Sequence, residues 1–514
     1  MAGTSIDAET LWQLAEARCA VTPEGVFGID DQGRSWSFSE LRARALSVAA
    51  ALAARGIGPG VPVSWSLPTR LEAAALALGL ARLGAVQNPI LPINRKREFS
   101  FILGQTGARL LVVPDRHRGF DYAGMAEEIR AEGGDFELLV VDGDLPGADP
   151  KTLSSGVAAL PDAVRWVFYT SGTTAEPKGA QHSDAALIVH AIAMAERQTM
   201  GPEDRISLFF PFTHIGGASW LATSLASGAT LLFGEAWDPE KTIAFLDREG
   251  VTLAGSGTAF HQAYLAAQRA APERVLFERV RFFPGGAAPK PPQLHEEMKR
   301  AFRGAGIVSS YGLTECPVVT VSAPTDPDER LALTEGRASP DTARVRIVTL
   351  QGREAATGEE GEVRLKAPQL FKGYVDANLD AAAFDEAGWF RSGDLGRLDE
   401  EGFLTITGRL KDVIIRKGEN ISAKEIEDLL HGHPDVAEAA VVGLPDPALG
   451  ERCCAVVATE PGRTFSFEAM QTFLRGLDLM TQKIPEQLES VDALPRNAAG
   501  KILKRVLVER YGEA

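Results

Sequence analysis

Short apolar, β-branched runs alternate with longer, alanine-rich amphipathic runs from about residue 35 to residue 350. Turn residues and then helical spacing follow each short run, as at 109–113, 206–210, 251–254, 279–283 and 306–309. This alternation is typical of βαβ units and predicts an α/β fold, with mixed or parallel sheets flanked by helices. Ligands bind such folds at the carboxyl ends of strands, where this chain carries its polar and glycine-rich clusters.

The pattern changes near residue 355. Short strand-like runs separated by Gly/Asp turns favour antiparallel pairing there, at 361–366, 403–407 and 413–415. A compact tail follows Arg409, with helices expected at 422–431, at 467–474 and after Lys501, and strands at 436–442 and 453–459. The sequence therefore predicts a large N-terminal domain, residues 1–408, and a small α+β C-terminal domain, residues 409–514.

Composition narrows the classes of protein and partner. The net charge of −16 argues against binding to nucleic acid or to anionic membrane surfaces. Four cysteines without CxxC spacing argue against a disulfide framework or a zinc site and favour a reducing compartment. No signal peptide is evident, and the longest apolar stretch, 73–86, is too short to span a bilayer. We therefore expect a cytoplasmic protein without integral membrane association.

The segment 169–179, Tyr-Thr-Ser-Gly-Thr-Thr-Ala-Glu-Pro-Lys-Gly, combines two glycines, four Ser/Thr hydroxyls and one lysine. An apolar run precedes it and a helix-like run, 184–196, follows, so we predict a strand, a loop and a helix that hold phosphate. Backbone N–H groups and hydroxyls would donate to the anion, and Lys178 would supply charge. The Walker A pattern cannot be matched here. By composition alone, a solvated loop is the favoured interpretation of this segment.

Three further clusters follow predicted strands of the large domain. His214 stands beside two glycines, although a single histidine in such a place is often a packed core residue. The run 285–287, Gly-Gly-Ala, suits a backbone that approaches a flat group, or it is simply a turn. The run 311–315, Tyr-Gly-Leu-Thr-Glu, offers an aromatic ring for a purine, a hydroxyl for a phosphate and a carboxylate for Mg²⁺.

Three more candidate binding or catalytic segments lie toward the C-terminal end of the chain. Asp394 lies in a glycine-flanked turn that suits a ribose diol. The segment 408–422 places basic residues and glycines around a strand pair, which could also be a charged hairpin face. Lys501 follows a glycine turn, where a lysine is usually only a solvated charge.

In order and approximate spacing these segments resemble the adenylate-forming superfamily, which includes acyl-CoA synthetases, luciferases and peptide-synthetase adenylation domains. The resemblance extends from about residue 30 to the C-terminus. Two positions depart from the pattern: Ala175 stands where glycine is usual, and Ala423 where many relatives have proline. The resemblance implies that the small domain is mobile and rotates between two half-reactions, with Lys411 at the hinge.

The resemblance also implies a role for each matched residue. The triphosphate would be held by Thr170, Ser171, Gly172, Thr173, Thr174 and Lys178. Gly286 and Ala287 would border the adenine and the acyl group, and Tyr311, followed by Gly312, would stack on the adenine. Asp394 would bind the ribose and Arg409 would assist at the domain junction. The implied catalytic residues are Lys501, which bridges carboxylate and α-phosphate, Thr314 at the α-phosphate, Glu315 as the Mg²⁺ ligand, and His214. Gly418 would line the thiol tunnel.

The function implied is an AMP-forming acyl-CoA ligase that uses ATP, Mg²⁺ and coenzyme A and acts as a monomer or homodimer. The expected pocket walls are mostly apolar and favour a hydrophobic monocarboxylic acid, medium-chain, alicyclic or aromatic; they are Phe212, Ile215, Trp220, Phe260 and Ala287. Three alternatives stay open: a stand-alone adenylating enzyme that loads a carrier protein, a catalytically silent nucleotide-binding relative, and a phosphotransferase, which would release ADP. Intact Lys501, Glu315 and Asp394 argue against the silent relative.

Overall fold

The computed structural model describes residues 8–154, 160–170, 177–255, 257–286, 290–416, 419–446, 449–477, 479–497 and 500–512. Six residues with predicted roles lie outside the described residues: Ser171, Gly172, Thr173, Thr174, Ala287 and Gly418. Across the described ranges, no helix has the length and apolar character needed to cross a membrane.

Two sheets dominate the first half of the chain. Its strands are β1 (Val26–Asp30), β2 (Ser35–Ser37), β3 (Pro62–Trp65), β4 (Val86–Pro89), β5 (Leu110–Pro114), β6 (Arg116–His117), β7 (Phe120–Asp121), β8 (Glu137–Val141), β9 (Val164–Thr170), β10 (Lys178–Ser183), β11 (Arg205–Leu208) and β12 (Thr230–Phe233). The six-stranded sheet has the order β10-β9-β4-β3-β5-β8 and is parallel except for β10. The four-stranded sheet has the order β11-β12-β1-β2 and is parallel except for β2.

The helices of this half are α1 (Leu11–Val21), α2 (Phe38–Ala53), α3 (Leu71–Leu83), α4 (Lys96–Thr106), α5 (Tyr122–Ala131), α6 (Asp184–Arg197), α7 (Ile215–Ser227), α8 (Pro239–Arg248) and α9 (Thr258–Ala270). Helix α3 is buried on nearly every side because it contacts both β1 and β4, one strand from each sheet. Its Ala/Leu-rich sequence suits that position, since small side chains allow close packing. The predicted α/β fold is confirmed.

The chain between residues 283 and 409 forms two smaller sheets. Its strands are β13 (Phe283–Gly285), β14 (Ile307–Leu313), β15 (Cys316–Val321), β16 (Arg337–Ala338), β17 (Arg344–Val348), β18 (Gly361–Lys366), β19 (Phe390–Leu398) and β20 (Leu404–Arg409). Its helices are α10 (Pro292–Ala301), α11 (Asp328–Leu333) and α12 (Asp380–Ala383). Strands β13 to β16 form a mixed sheet, and β17 to β20 form an antiparallel meander, as the Gly/Asp turns predicted.

The C-terminal part has its own sheet and its own core. Its strands are β21 (Val413–Arg416), β22 (Glu419–Ser422), β23 (Val436–Asp446), β24 (Gly450–Thr459) and β25 (Gln487–Ser490), and its helices are α13 (Ala423–Leu430), α14 (Phe467–Gly476) and α15 (Lys504–Tyr511). A cluster that includes Ile426, Val441 and Met470 fills the space between helices and sheet. The sheet changes at the 3-10 turn Leu410–Asp412, close to the predicted boundary at residue 408.

Four local predictions differ from the structure. Asp394, expected in a turn, lies within strand β19, and the strand expected at 279–283 is observed as β13, Phe283–Gly285. The run 251–254 does not form a strand; Leu253 makes only isolated bridges, to Ile206 and Phe282. The hydroxyl-rich loop does not lead directly into a helix, because β10 lies between the loop and α6. The sequence of β10, Lys-Gly-Ala-Gln-His-Ser, is too polar to indicate a strand by its own pattern. It is extended because chain segments on both of its sides bond to its backbone.

Candidate functional site

The predicted phosphate loop joins the two strands of a hairpin. Thr170, the last residue of β9, pairs directly with Lys178, the first residue of β10. The Nζ atom of Lys178 lies 5.7 Å from the centre of the Tyr374 ring, within the range of a cation–π contact. The hairpin therefore fixes the two ends of the loop and places the lysine ammonium beside an aromatic face.

Thr314 and Glu315 are the two turn residues between β14 and β15. The Glu315 side chain is buried, and its Oε1 accepts a hydrogen bond of 2.6 Å from the Tyr374 hydroxyl. The backbone carbonyl of Thr314 accepts from Nε2 of buried His182 at 2.8 Å. Burial lowers the pKa of His182 to about 4, so this ring is neutral at pH 7. The turn is thus fixed from two sides.

Two glycines near this turn are required by close packing. A Cβ atom at Gly312 would overlap the backbone nitrogen of Val318, across the β14–β15 hairpin. A Cβ atom at Gly286 would lie 3.0 Å from the Ser310 carbonyl oxygen. Any larger residue at Gly312 would force the hairpin apart and displace Glu315 with it.

Tyr311, Asp394 and Arg409 meet in a partly buried cluster that joins one hydrogen bond and one ion pair. The Tyr311 hydroxyl donates to Oδ2 of Asp394 at 2.7 Å, and Nε of Arg409 lies 3.0 Å from Oδ1. Asp394 is 5% exposed and lies opposite Arg409 on neighbouring strands β19 and β20. Burial, and next the charge of Asp394, raise the pKa of Tyr311 well above its usual range. Tyr311 therefore stays protonated and remains a donor to a carboxylate.

Lys501 reaches this cluster from the other end of the chain. It lies in a turn closed by a bridge between Arg496 and Ile502, and Gly500 in that turn has a φ of +78°. Burial, and then the positive charges of Arg409 and Lys411, lower the pKa of the Lys501 amine to about 8, against the opposing charge of Asp394.

The same turn contacts the first residues of α9. A Cβ atom at Gly500 would lie 3.9 Å from the Cβ of Ala259, which is ordinary van der Waals contact. A Cβ atom at Gly257, the residue before α9, would lie 3.7 Å from the Gly286 carbonyl oxygen. The C-terminal lysine, the start of α9 and the strand end at Gly286 are therefore neighbours.

His214 caps helix α7. Its Nδ1 accepts a hydrogen bond of 3.1 Å from the backbone N–H of Gly216, and its ring meets the Phe210 ring edge to face at 6.5 Å. Burial lowers its pKa to about 4. His214 is thus a neutral side chain with a structural role at the helix terminus, and its predicted catalytic role stays a prediction.

The expected pocket walls do not form one cluster. Phe212, Ile215 and Trp220 belong to the core between the two large sheets, whereas Phe260 packs in a second cluster. There its ring contacts the Trp237 ring at 4.5 Å. The difference arises because α7 points its apolar face into the sheets, while Phe260 lies on α9, beside the Gly286 strand end. Trp237 is a neighbour that the sequence did not indicate.

A divalent cation fits this site only together with a ligand that brings its own oxygens. Within the described ranges, no group of three or more His, Cys, Asp or Glu side chains could hold a metal ion. Glu315 supplies one carboxylate, and Mg²⁺ is commonly held by one or two carboxylates plus substrate phosphates. The residues present therefore suit a Mg²⁺–nucleotide complex and do not suit a metal bound by protein alone.

Tyr374 and His182 were missed by the sequence predictions. Both act on the Thr314–Glu315 turn, one through a side chain and one through a backbone carbonyl. The pattern Phe-Lys-Gly-Tyr at 371–374, two aromatics around a glycine, could have indicated a buried segment there. His182 gave no signal beyond its place next to Ser183.

Comparisons with known proteins show the family of the chain. A model of the family "AMP-binding enzyme" matches residues 15–375, and a model of the "AMP-binding enzyme C-terminal domain" matches residues 425–501. The chain is similar to a sulfoacetate–CoA ligase of Cupriavidus necator, with 31% identity over 97% of both chains. It is also similar to a salicyl-AMP ligase / salicyl-S-ArCP synthetase of Mycobacterium tuberculosis, with 33% identity over 93% of this chain and 86% of that one.

Among solved structures, ATP-bound MatB from Rhodopseudomonas palustris superimposes with a TM-score of 0.88. The two chains are 28% identical, and the match covers 99% of each. Family match, whole-length similarity and fold agree, and they agree with the order of motifs along the sequence. The chain therefore belongs to the AMP-binding enzyme family and is an adenylate-forming enzyme of the acyl-CoA ligase group.

Proposed function

We propose that this protein activates a hydrophobic monocarboxylic acid with ATP, forms an acyl-adenylate with release of pyrophosphate, and transfers the acyl group to coenzyme A. One observation carries the proposal: the C-terminal turn that holds Lys501 lies against Ala259 at the start of α9, where the charges of Asp394 and Arg409, which precede the turn Leu410–Asp412, act on the lysine amine. A cation and a ribose-binding carboxylate placed together suit a nucleotide whose α-phosphate lies between them.

Binding of ATP would use groups that are already in position. Oδ2 of Asp394 accepts a hydrogen bond from Tyr311 and Oδ1 pairs with Arg409, and each oxygen keeps a lone pair that can accept from a ribose hydroxyl. Lys178 would contact the β- and γ-phosphates from the end of the hairpin. Glu315 would hold Mg²⁺, which neutralises phosphate charge when it is bound.

In the first half-reaction an oxygen of the substrate carboxylate would form a bond to the α-phosphorus, and the bond to the bridging oxygen would break. Both reactants are anionic, so the main barrier is electrostatic. The Lys501 ammonium would lie between carboxylate and α-phosphate and offset the developing charge. No covalent enzyme intermediate is required.

In the second half-reaction a thiolate would attack the acyl carbonyl carbon, and AMP would leave with the electron pair of the broken C–O bond. We propose that the chain beyond Lys411 rotates about this residue between the two steps. Lys501 would be withdrawn from the site, and the thiol would gain access along Gly418.

The class of acid is proposed from the apolar side chains near the site and from the charge state of His214. His214 is neutral at pH 7, so it would not favour a second negative charge on the substrate. The Phe260 ring, in the first turn of α9 next to the Gly286 strand end, packs against Trp237 and suits an apolar acyl group. Loading of a carrier protein is the second candidate, because the mycobacterial relative is named both as a salicyl-AMP ligase and as a salicyl-S-ArCP synthetase.

The direct test is a panel of acids with ATP, Mg²⁺ and coenzyme A, in which AMP, ADP and thioester are measured together. Straight-chain acids should react with a kcat/KM that rises about fourfold per methylene until the pocket is full, since each buried methylene contributes about 0.8 kcal/mol. Sulfoacetate serves as the doubly charged comparison. AMP without thioester would favour carrier loading, ADP would indicate a phosphotransferase, and no ATP consumption would contradict the proposal.

The lowered pKa of Lys501 predicts a pH dependence for the first half-reaction. The free enzyme loses the Lys501 charge as the pH rises through about 8. The kcat/KM for ATP, measured by pyrophosphate exchange, should therefore fall about tenfold per pH unit above that value. Exchange is measured without a thiol, so thiol ionisation does not contribute. A Lys501→Arg variant stays charged and should lack this decline; the same decline in both proteins would contradict the assignment.

A further inference from the structure

A short chain segment connects strand β10 to the Glu315 turn. Residues 371–375, here called the strap, run beside β10 and bond to it through three backbone hydrogen bonds: Lys372 N to Gln181 O (2.7 Å), Gln181 N to Gly373 O (3.0 Å) and Val375 N to Gly179 O (2.8 Å). The first strap residue, Phe371, donates its N–H to the carbonyl of Glu315 at 2.8 Å. The strap thus bonds to the strand that begins at Lys178 and to the turn that carries Glu315.

Tyr374 makes the corresponding connection with its side chain. It is 6% exposed, its hydroxyl donates to Oε1 of Glu315 at 2.6 Å, and its ring face lies 5.7 Å from Nζ of Lys178. One rigid aromatic ring therefore lies between the two groups that are proposed to hold the metal and the phosphates. Such a hydrogen bond fixes the rotamer of the carboxylate.

The surroundings keep Tyr374 protonated and in place. Burial, and next the charge of Glu315, raise the pKa of its phenol above the usual range, so it remains a donor at any physiological pH. Its backbone N–H donates to Oδ1 of Asp380 at 2.9 Å, and its ring packs against the Phe371 ring at 4.8 Å. The ring has little freedom to turn away from either partner.

We infer that Tyr374 is a positioning residue, which holds the Glu315 carboxylate and the Lys178 ammonium at the separation that a Mg²⁺-bound triphosphate requires. This inference rests on the proposed function, because it gives Glu315 and Lys178 their ligands. Tyr374 acts through these two residues. Its hydroxyl contacts Glu315, the proposed Mg²⁺ ligand, and its ring contacts Lys178, which is proposed to bind phosphate. Substitutions can therefore separate the two contributions.

The test measures ATP binding by calorimetry, without any acid, in excess Mg²⁺ and in EDTA. Tyr374→Phe removes only the hydroxyl and should weaken ATP binding about tenfold in Mg²⁺, as loss of a partner to a metal ligand typically does, with less than about a twofold change in EDTA. Tyr374→Leu also removes the ring and should weaken binding in EDTA by about threefold, because the cation–π contact is lost.

Tyr122→Phe is the matched control. It deletes a tyrosine hydroxyl that donates to the Pro92 carbonyl at 2.6 Å, on the helix α5 side of the six-stranded sheet. This variant should bind ATP like the wild type under both conditions. Its thermal unfolding also shows how much stability the loss of one such hydroxyl removes.

Two results with the single variant Tyr374→Phe would overturn the inference: unchanged Mg²⁺-dependent binding, or an equal loss in Mg²⁺ and in EDTA, which would indicate a general structural defect. In a Glu315→Gln background, Tyr374→Phe should add little further loss of Mg²⁺-dependent binding, because the two residues act as one unit. Additive losses of Mg²⁺-dependent binding in the double variant would also contradict the inference. Failure of the proposed function is a separate result: it appears as a wild-type protein that binds ATP but forms no acyl-adenylate from any acid.

Discussion

Lys501→Ala should slow acyl-adenylate formation about 10²–10³-fold, as loss of one charge contact in a transition state typically does. Thioester formation from preformed acyl-adenylate should stay within about twofold of the wild-type rate. The two steps should differ because the charges of Arg409 and Asp394 act on the Lys501 amine, and the α-phosphate is proposed to lie beside these residues. The second step attacks the acyl carbon and has no need of that cation.

The two half-reactions are measured separately, by pyrophosphate exchange and by single-turnover thioester formation. Lys483→Ala is the matched control, because Lys483 lies in the same part of the chain and pairs with Glu425 at 2.6 Å within that part. It should change neither step. Equal loss of both steps in Lys501→Ala would show that the lysine acts in folding or domain docking, and would remove its proposed role.

Lys411→Pro should reduce overall thioester formation by about 10²-fold while pyrophosphate exchange stays within a few-fold of wild type. Lys411 is the central residue of the 3-10 turn Leu410–Asp412, which connects β20 to β21 and so connects two sheets. Rotation of the chain beyond Lys411 requires a change of backbone angles at this residue, and proline fixes φ near −65°. The first step uses the orientation already present and should proceed.

Lys411→Ala separates the backbone effect from the charge effect. It removes the ammonium but leaves φ free, so both half-reactions should continue. It should also raise the pKa of Lys501, because the Lys411 charge contributes to lowering it, and the alkaline decline in exchange should move to higher pH. Full overall turnover in Lys411→Pro would contradict the hinge.

The sequence predicted the architecture well where a pattern repeats. Alternating apolar and amphipathic runs indicated α/β layering, and the predicted helix 184–196 differs from the observed Asp184–Arg197 by one residue. Prediction was poor where long-range contacts decide the local structure. Strand β10 has a polar sequence and is extended because β9 and the strap bond to it. Neither partner is visible from the residues of β10 themselves.

In the candidate site, too, the residues of sequence motifs were predicted, and the residues whose role depends on distant neighbours were not. Residues within recognisable motifs, such as Tyr311, Asp394, Arg409 and Lys501, are brought together by the fold. Tyr374 was missed, because its importance depends on a neighbour that is 59 positions away in sequence. The pocket walls were predicted from hydrophobicity, which cannot distinguish a residue that faces a ligand from one that faces the core.

The position of Arg409 has a consequence for the order of events. It is the last residue of β20, and its contact with Asp394 lies on the N-terminal side of the turn Leu410–Asp412. Every described residue that is proposed to bind the adenosine part of ATP thus precedes the turn Leu410–Asp412 in the chain, while Lys501 follows it. The acyl-adenylate would stay bound through its adenosine while the chain beyond the turn rotates. An intermediate held in this way would dissociate into water less readily, and each molecule lost to hydrolysis there would cost one ATP.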